Sequence, residues 1–333
     1  MLIKRTPPKN LTDSDVIFFK NELEKELNYL YNYSSYQNVV VTFHGAVFLG
    51  WKLIEENLVT ISHKSFFNLK YHLKTIIKFK KQEVNIKNCV LIFDLWSSGY
   101  FHWMTDSLTR LLSFISLVEI KDIVFLLPEN GPEFQTETLK ILGFNSFVFI
   151  PPNRFLKFKK LYIPHFVAPT GNYNEALIDE LRSLFFKNLE FDFITPSKFI
   201  YVSRKHSERR KIQNEDELID LLLKWNFEIV YFEKMSVKQQ FELLSQTKVL
   251  IGQHGAGLTN MLFMQKGTKV LELRLENDKT NLCYFSLASA LKILYYYQFC
   301  NNGNILKSNL DTEFIVDIEE MEVNLNSLLN EHF

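Results

Sequence analysis

The chain has 333 residues and a mass of 39.4 kDa, more than one hydrophobic core usually serves, so one large or two medium domains are expected. A hydrophobic fraction of 47% with 23% charged residues excludes intrinsic disorder. Lys plus Arg equals Asp plus Glu at 38 each, so no global field draws nucleic acid or an anionic membrane, and any phosphate binding must rest on a local cluster.

In chain order, strand-like runs alternate with helical patterns, as expected for an α/β protein with parallel sheets. Residues 38–44 are β-branched and stop at Gly45. Residues 89–94 read as a buried strand, and residues 95–99 as a turn. From Tyr100, the apolar residues Phe101, Met104, Leu108, Leu111, Leu112 and Ile115 recur at helical spacing. Strands are expected at 122–128, 147–150 and 161–164, and an amphipathic helix at 175–186. A proline-ended connector at 191–196 follows.

The pattern then restarts. Strands are expected at 198–203, 228–231, 248–251 and 269–273, with helices at 214–225 and 236–246. This places two α/β domains at residues 1–190 and 196–333, with a last helix at 318–329 free to pack back on the first domain. The three cysteines, Cys89, Cys283 and Cys300, are odd in number and form no CxxC pair, which favours a reducing compartment. The basic N-terminus has no apolar stretch behind it, and no apolar run nears 18 residues, so a soluble, cytoplasmic protein is expected.

Three segments carry candidate chemistry. In Gly252-Gln-His254-Gly255-Ala256-Gly257-Leu-Thr-Asn260 a buried strand runs into a glycine-rich turn with a helical pattern behind it. Such a turn lets backbone approach a ligand closely, and the free N–H groups of a helix start favour phosphate. Glu272, near the end of the next strand, stands where an acidic residue would meet ribose hydroxyls. A purely structural turn is the plainer alternative.

The second segment is the charged run from Ser203 through Arg204, Lys205, His206, Glu208, Arg209 and Arg210 to Lys211. Arg204, just past a strand, and Arg210 suit a diphosphate, since guanidiniums bind phosphate oxygens in pairs. The others fit a solvated loop, with Asn214 capping the next helix. In the third segment, His102 and Asp106 are one helical turn apart. A carboxylate behind a histidine fixes its tautomer and suits it to act as a general base. Asp13-Ser14-Asp15 matches a metal-diphosphate DxD, but Asp13 or Ser14 as a helix cap accounts for it better. No run has metal-ligand spacing.

Together and in this order, Tyr100 to Asp106, Ser203-Arg204 with Arg210 and Asn214-Glu215, Gly252 to Asn260, and Glu272 resemble the family 61 glycosyltransferases, in the form of a bacterial-type member. Ser98-Gly99 stands where that family's pattern has Asn. The resemblance covers about residues 88–275 and implies two facing Rossmann-like domains of the GT-B type. It implies an inverting, metal-independent transferase with no cofactor, taking a nucleotide-sugar donor. Its hexosyl or pentosyl group would go to a glycan or lipid-linked acceptor in capsule, lipopolysaccharide or other surface polysaccharide biosynthesis.

In that reading Arg204, Arg210, His254, Gly255, Ala256, Gly257 and Asn260 hold the donor and Glu272 its ribose, all on the C-terminal domain. His102 or Asp106, on the acceptor-side N-terminal domain, takes the acceptor proton. Nucleic acid is not an expected partner. A peripheral membrane contact at the inner face is compatible with a lipid-linked acceptor; Phe66-Phe67 would serve it or pack in the core. Two alternatives stand beside this reading, an NAD-dependent oxidoreductase using the same glycine turn and a non-catalytic nucleotide- or glycan-binding protein.

Overall fold

A computed structural model describes residues 2–192, 194–206, 210–276, 278, 281–305 and 312–330. The chain divides into two compact units, one of Asn28–Glu190 and one of Met1–Leu27 together with Phe191–Phe333. The first 27 residues therefore pack with the C-terminal half, not with the residues that follow them. There β1 (Leu2–Lys4) and β2 (Glu24–Glu26) form a two-stranded ribbon around α1 (Val16–Leu23). Asp15 occupies the cap position of α1 without a side-chain cap bond. Its carboxylate instead accepts from the Tyr297 hydroxyl at 2.6 Å, so neither Asp13 nor Ser14, the caps expected from the sequence, occupies that position.

The Asn28–Glu190 unit is built on an eight-stranded sheet that is mixed, not parallel as the alternation suggested. Its strands are β3 (Tyr33–Thr42), β4 (Val47–Leu49), β5 (Lys52–Ile54), β6 (Lys80–Val84), β7 (Cys89–Val90), β8 (Val124–Pro128), β9 (Phe147–Ile150) and β10 (Arg154–Pro164). β3, β4 and β5 form an antiparallel meander that joins β10, while β6 and β7 lie parallel to β10 and β8 and β9 continue from β7. Gly45 makes the first meander turn possible. Its φ of +78° is in the left-handed region, and a Cβ there would lie 3.1 Å from the Phe93 carbonyl oxygen. α2 (Ile61–Phe66) and α3 (Leu69–Lys78) follow the meander.

The helix expected after residue 99 forms as α4 (residues 100–117), but with a π-helical turn at Trp103–Ser107 inside it. The Thr105 and Thr109 hydroxyls donate back to the carbonyls of Phe101 and Thr105 at 2.8 and 2.7 Å, within and beside that turn. α5 (Glu133–Ile141) and α6 (Glu175–Asn188) complete the unit.

Arg110 on α4 is fully buried and saturated. It donates to the Pro164 carbonyl twice (3.0 and 2.8 Å), to the Ile92 carbonyl (3.1 Å), to Asn57 Oδ1 (2.6 Å) and to Asp94 (3.4 Å). Its guanidinium also lies over the Phe166 ring. Burial pushes the Asp94 carboxyl up despite the pull of Arg110, and pushes Arg110 down to about 10. Arg110→Lys keeps the charge but not the fork, so acceptors are left bare in the interior; a loss of about 1–3 kcal/mol in urea unfolding is expected. An unchanged midpoint would show that the fork is dispensable.

The second unit carries β11 (Lys198–Val202), β12 (Glu228–Val230), β13 (Thr247–Gln253), β14 (Lys269–Leu275), β15 (Leu294–Ile305) and β16 (Thr312–Ile315). Their order is β12-β11-β13-β14-β15-β16, parallel throughout except for β16. In terms of chain sequence, the first five strands run 2-1-3-4-5, a doubly wound order whose direction reverses between β11 and β13. α7 (Glu215–Lys224), α8 (Val237–Leu244), α9 (Cys283–Ala290) and α10 (Ile318–Asn330) accompany it.

Leu271, Leu273 and Leu275 of β14 pack into one core with Leu218 and Leu222 of α7 and Met321, Leu325 and Leu328 of α10. The last helix thus packs within its own unit, where Lys269 donates to the Leu328 carbonyl at 2.6 Å. Beside the strands, Phe19 of α1 meets Phe285 edge-on at 5.2 Å and Tyr297 at 4.9 Å, and Asn10 bonds Tyr297 main chain. No apolar periodicity in the first 27 residues marks that destination, because a short helix with one buried Phe fits either half.

Candidate functional site

Two clusters stand out, one in each unit. In the Asn28–Glu190 unit, α4 begins just beyond the β7 strand, and its first turns bring His102 and Asp106 together. His102 Nδ1 donates to Asp106 Oδ2 at 2.9 Å, so the i, i+4 pairing survives the π turn. Thr170 donates to the same oxygen at 2.7 Å. The Asp106 side chain is 6% exposed against 26% for His102, and the imidazole packs on Trp96 with ring centres 4.8 Å apart. With Nδ1 committed to Asp106, the lone pair of the imidazole is on Nε2, which makes no hydrogen bond among the described residues. The group can accept a proton there, and Asp106 holds its orientation.

Thr170 was not legible in the sequence. It belongs to the loop after β10, and only the position of that loop at a parallel strand's carboxyl end could have drawn attention to it.

In the second unit, the loops after β11 and β13 flank the reversal of strand order, the place where open α/β sheets leave a crevice for ligands. The residues there are Arg204, Arg210 and the His254-Gly255-Ala256-Gly257 turn. A Cβ built on Gly255 would lie 2.6 Å from Arg204 Nη1, so the absence of a side chain lets the guanidinium rest against the turn. Arg210 Nη1 reaches the His254 carbonyl at 3.4 Å. Burial, and then the like charge of Arg210, hold Arg204 below the ordinary arginine range. Two cations are thus drawn together at one glycine turn.

Arg210 also has φ +56°, a left-handed conformation that costs a non-glycine residue on the order of 1 kcal/mol. Lys205 pairs with Asp216 at 2.9 Å and His206 lies over Tyr231, so neither joins the pair of arginines. Ser207, Glu208 and Arg209 lie outside the described residues.

Beyond the turn, residues Ala256–Phe263 form a 3₁₀ helix where a regular helix was expected. Its first internal bond runs from Leu258 N–H to the Gly255 carbonyl (3.0 Å), so the Ala256 and Gly257 amides precede the ladder. A Cβ on Gly257 would press on Val202 at 3.1 Å, which is why the turn lies so close to β11. Asn260 is buried and donates to Gln240 at 2.7 Å. That bond ties the 3₁₀ helix to α8 and places Asn260 in the core rather than beside a ligand.

Glu272 departs furthest from expectation. It is fully buried, and its carboxylate accepts from His254 Nδ1, from Arg274 at 3.1 Å and from the Tyr295 hydroxyl at 2.5 Å. Burial opposes its ionisation, yet Arg274 and His254 hold its carboxyl below the ordinary range. A carboxylate sealed in this way does not meet a ribose. Instead it orients His254, whose Nε2 accepts from Asn281 at 3.2 Å and whose ring meets Tyr284 edge-on. Arg274 in turn donates to the Asp278 and Asn281 carbonyls at 2.8 and 2.9 Å. Arg274, Asn281 and Tyr295 were missed from the sequence, where each reads as an ordinary strand or loop residue.

Among the described residues, no three His, Cys, Asp or Glu side chains converge as a metal site requires, and no helix is long and apolar enough to cross a membrane.

The sequence profile of Glycosyltransferase 61 matches residues 100–271, from the start of α4 to the middle of β14. The chain belongs to glycosyltransferase family 61. Both clusters fall within the matched span, except for Glu272, Arg274, Asn281 and Tyr295, which lie just past it. The curated family relatives include the EGF domain-specific O-linked N-acetylglucosamine transferase of Drosophila melanogaster, 30% identical over 131 residues, 38% of this chain and 25% of that protein. The mouse protein of the same name is 33% identical over 101 residues, 29% of this chain and 19% of that one. Beta-1,2-xylosyltransferase RCN11 of rice is 32% identical over 95 residues, 26% of this chain and 17% of that one. The chain thus spans a quarter or less of these relatives' lengths. They are animal and plant proteins and lend no support to the bacterial, capsule or lipopolysaccharide setting expected from the sequence. The family match, and not the burial of Glu272, weighs against the nicotinamide alternative, since both readings placed Glu272 at a ribose.

Proposed function

We propose that this family 61 chain is an inverting glycosyltransferase that moves a sugar from a nucleoside-diphosphate donor to a hydroxyl of a glycan or lipid-linked glycan. The observation that carries the reading is the meeting of Arg204 with Gly255 at the strand-order reversal. In the proposal Arg204, Arg210 and the amides of Gly255, Ala256 and Gly257 bind the diphosphate. Fixed positive groups there stabilise the charge that builds on the leaving oxygen, so the reaction proceeds without a metal. His254, held by Glu272, lines the same turn. The strain at Arg210 supports a ligand role, since such conformations persist mainly where function requires them.

His102 is the base in this reading and Asp106 its positioning residue, because Asp106 is buried and already accepts two hydrogen bonds. The acceptor hydroxyl gives its proton to His102 Nε2 and its oxygen forms the new bond to the anomeric carbon. The bond from that carbon to the diphosphate oxygen breaks, and its electron pair leaves with the nucleoside diphosphate. Attack from the face opposite the leaving group inverts the anomeric centre. The GT-B pairing of two Rossmann-like domains is part of the proposal; the doubly wound order of the second sheet supports its donor half.

The test is a thermal-shift series with UDP, GDP, CDP, dTDP and NAD⁺ in EDTA. At about 100 times its Kd a ligand adds about 2.7 kcal/mol to the folded state, so one nucleoside diphosphate is expected to raise the Tm by several degrees. Arg204→Ala and Arg210→Ala abolish the shift. A response to NAD⁺ alone, or to a diphosphate only once Mn²⁺ is added, overturns the reading. A diphosphate shift without transfer to any acceptor, together with unchanged binding in His102→Ala, would favour a non-catalytic binding protein.

A further inference from the structure

Residues 57–82 contain six lysines (Lys64, Lys70, Lys74, Lys78, Lys80 and Lys81) and no Asp or Glu, in a chain whose charges balance overall. The segment comprises α2, α3 and the start of β6. Its inward side is accounted for: Phe67 packs with Ala46 and Phe48 in a small core that Tyr71 and Leu53 close. Phe66, the other half of the aromatic pair, is 50% exposed. On α3, Leu73 and Ile77 are 40% and 79% exposed and lie one turn apart. Lys70, Lys74 and Lys78, also exposed, form a stripe at steps of four beside them. The nearest carboxylates serve other lysines, Glu55 pairing with Lys64 at 2.7 Å and Glu83 with Lys81 at 3.0 Å. Among the described residues none lies within ion-pair distance of Lys70, Lys74 or Lys78.

We propose that the solvent face of α3, with Phe66, docks on an anionic lipid surface. The lysines meet headgroup phosphates and carboxylates, and Leu73, Ile77 and Phe66 enter the interface between headgroups and acyl chains. An interfacial helix needs this combination, an apolar strip flanked by cations, and needs no length sufficient to span. A nucleic acid would reward stacking rings beside the α3 lysines, whereas the exposed apolar residues there, Leu73 and Ile77, are aliphatic. The inference does not depend on what the chain transfers.

The test is co-sedimentation of the full chain with vesicles of phosphatidylcholine alone and of phosphatidylcholine with phosphatidylserine. Binding is expected only to the anionic vesicles. Each lysine near such a surface contributes about fivefold, so the Lys70→Gln, Lys74→Gln, Lys78→Gln triple variant is expected to bind about 100-fold more weakly. Leu73→Ser with Ile77→Ser is expected to remove the binding that persists at raised salt, where only apolar insertion remains. Melting temperatures and nucleotide-induced shifts stay at wild-type values in both variants, which separates loss of docking from loss of folding or of donor binding. No sedimentation of the wild type with anionic vesicles overturns the proposal. Vesicle binding indifferent to Leu73 and Ile77, with equal capture on heparin, overturns it in favour of a general polyanion patch.

Discussion

Alanine at position 102 is expected to lower kcat by about 10²–10⁴-fold, the usual contribution of a positioned general base, with nucleoside-diphosphate affinity unchanged. The expectation rests on the division of labour between His102 and Asp106. Asp106 is buried and its Oδ2 accepts from both His102 and Thr170, so its ties are already made. His102 is the more exposed member, with Nε2 the nitrogen available for a proton. Asp106→Asn keeps the shape of the pair but removes the negative charge that stabilises the imidazolium formed on proton transfer. A smaller loss than in His102→Ala is expected, again in kcat. Thr170→Val, which takes one hydrogen bond from Asp106, is expected to cost least. Steady-state kinetics with the donor found by thermal shift decides the matter. A fully active His102→Ala beside an inactive Asp106→Asn would transfer the role of base to Asp106, and activity in both would remove the pair from the mechanism.

Glutamine at position 272 is expected to cost about 3–5 kcal/mol of stability, the usual loss when a buried ion pair is deprived of one partner. Arg274 is left charged in the interior with two carbonyls and no carboxylate, and His254 and Tyr295 lose the acceptor that fixes them. The effect carries a pH signature. The Glu272 carboxyl titrates below its ordinary value of 4.5 in the folded state, because Arg274 and His254 outweigh the burial that opposes its charge. Its contribution is therefore fully present above 4.5 and lost as the pH falls through the folded value. Urea midpoints of the wild type and of Glu272→Gln are expected to differ widely at neutral pH and to draw together in acid. A difference below about 1 kcal/mol at neutral pH would mean that the cluster relaxes around the amide.

Much of this was legible in the sequence for a physical reason. Strands buried on both faces write continuous apolar runs, and β8, β11, β13 and β14 were found within a few residues of their bounds, as was the half-exposed β9. The i, i+4 spacing of His102 and Asp106 states local geometry directly, and the two side chains are hydrogen-bonded. What the sequence did not write was how side chains distant in the chain meet. Glu272 read as a ribose ligand because its position matched a known pattern, and only the arrival of Arg274, Tyr295 and His254 on it shows that it is sealed. Asn260 misled in the same way, since the partner that buries it, Gln240, is on another helix. The π turn in α4 leaves the apolar spacing intact, so periodicity is blind to it.

The discontinuous second unit has a consequence for how the chain is made. Asn10 leaves the ribosome 287 residues ahead of its partner Tyr297, and Phe19 likewise long precedes Phe285, Tyr295 and Tyr297. At about 5–20 residues per second, the opening segment waits on the order of tens of seconds without the surface that receives it. Residues 28–190 are complete well before then. During synthesis, therefore, Phe19 has no aromatic partner to pack on until β15 is made, and the short helix that carries it is where a chaperone would be expected to bind.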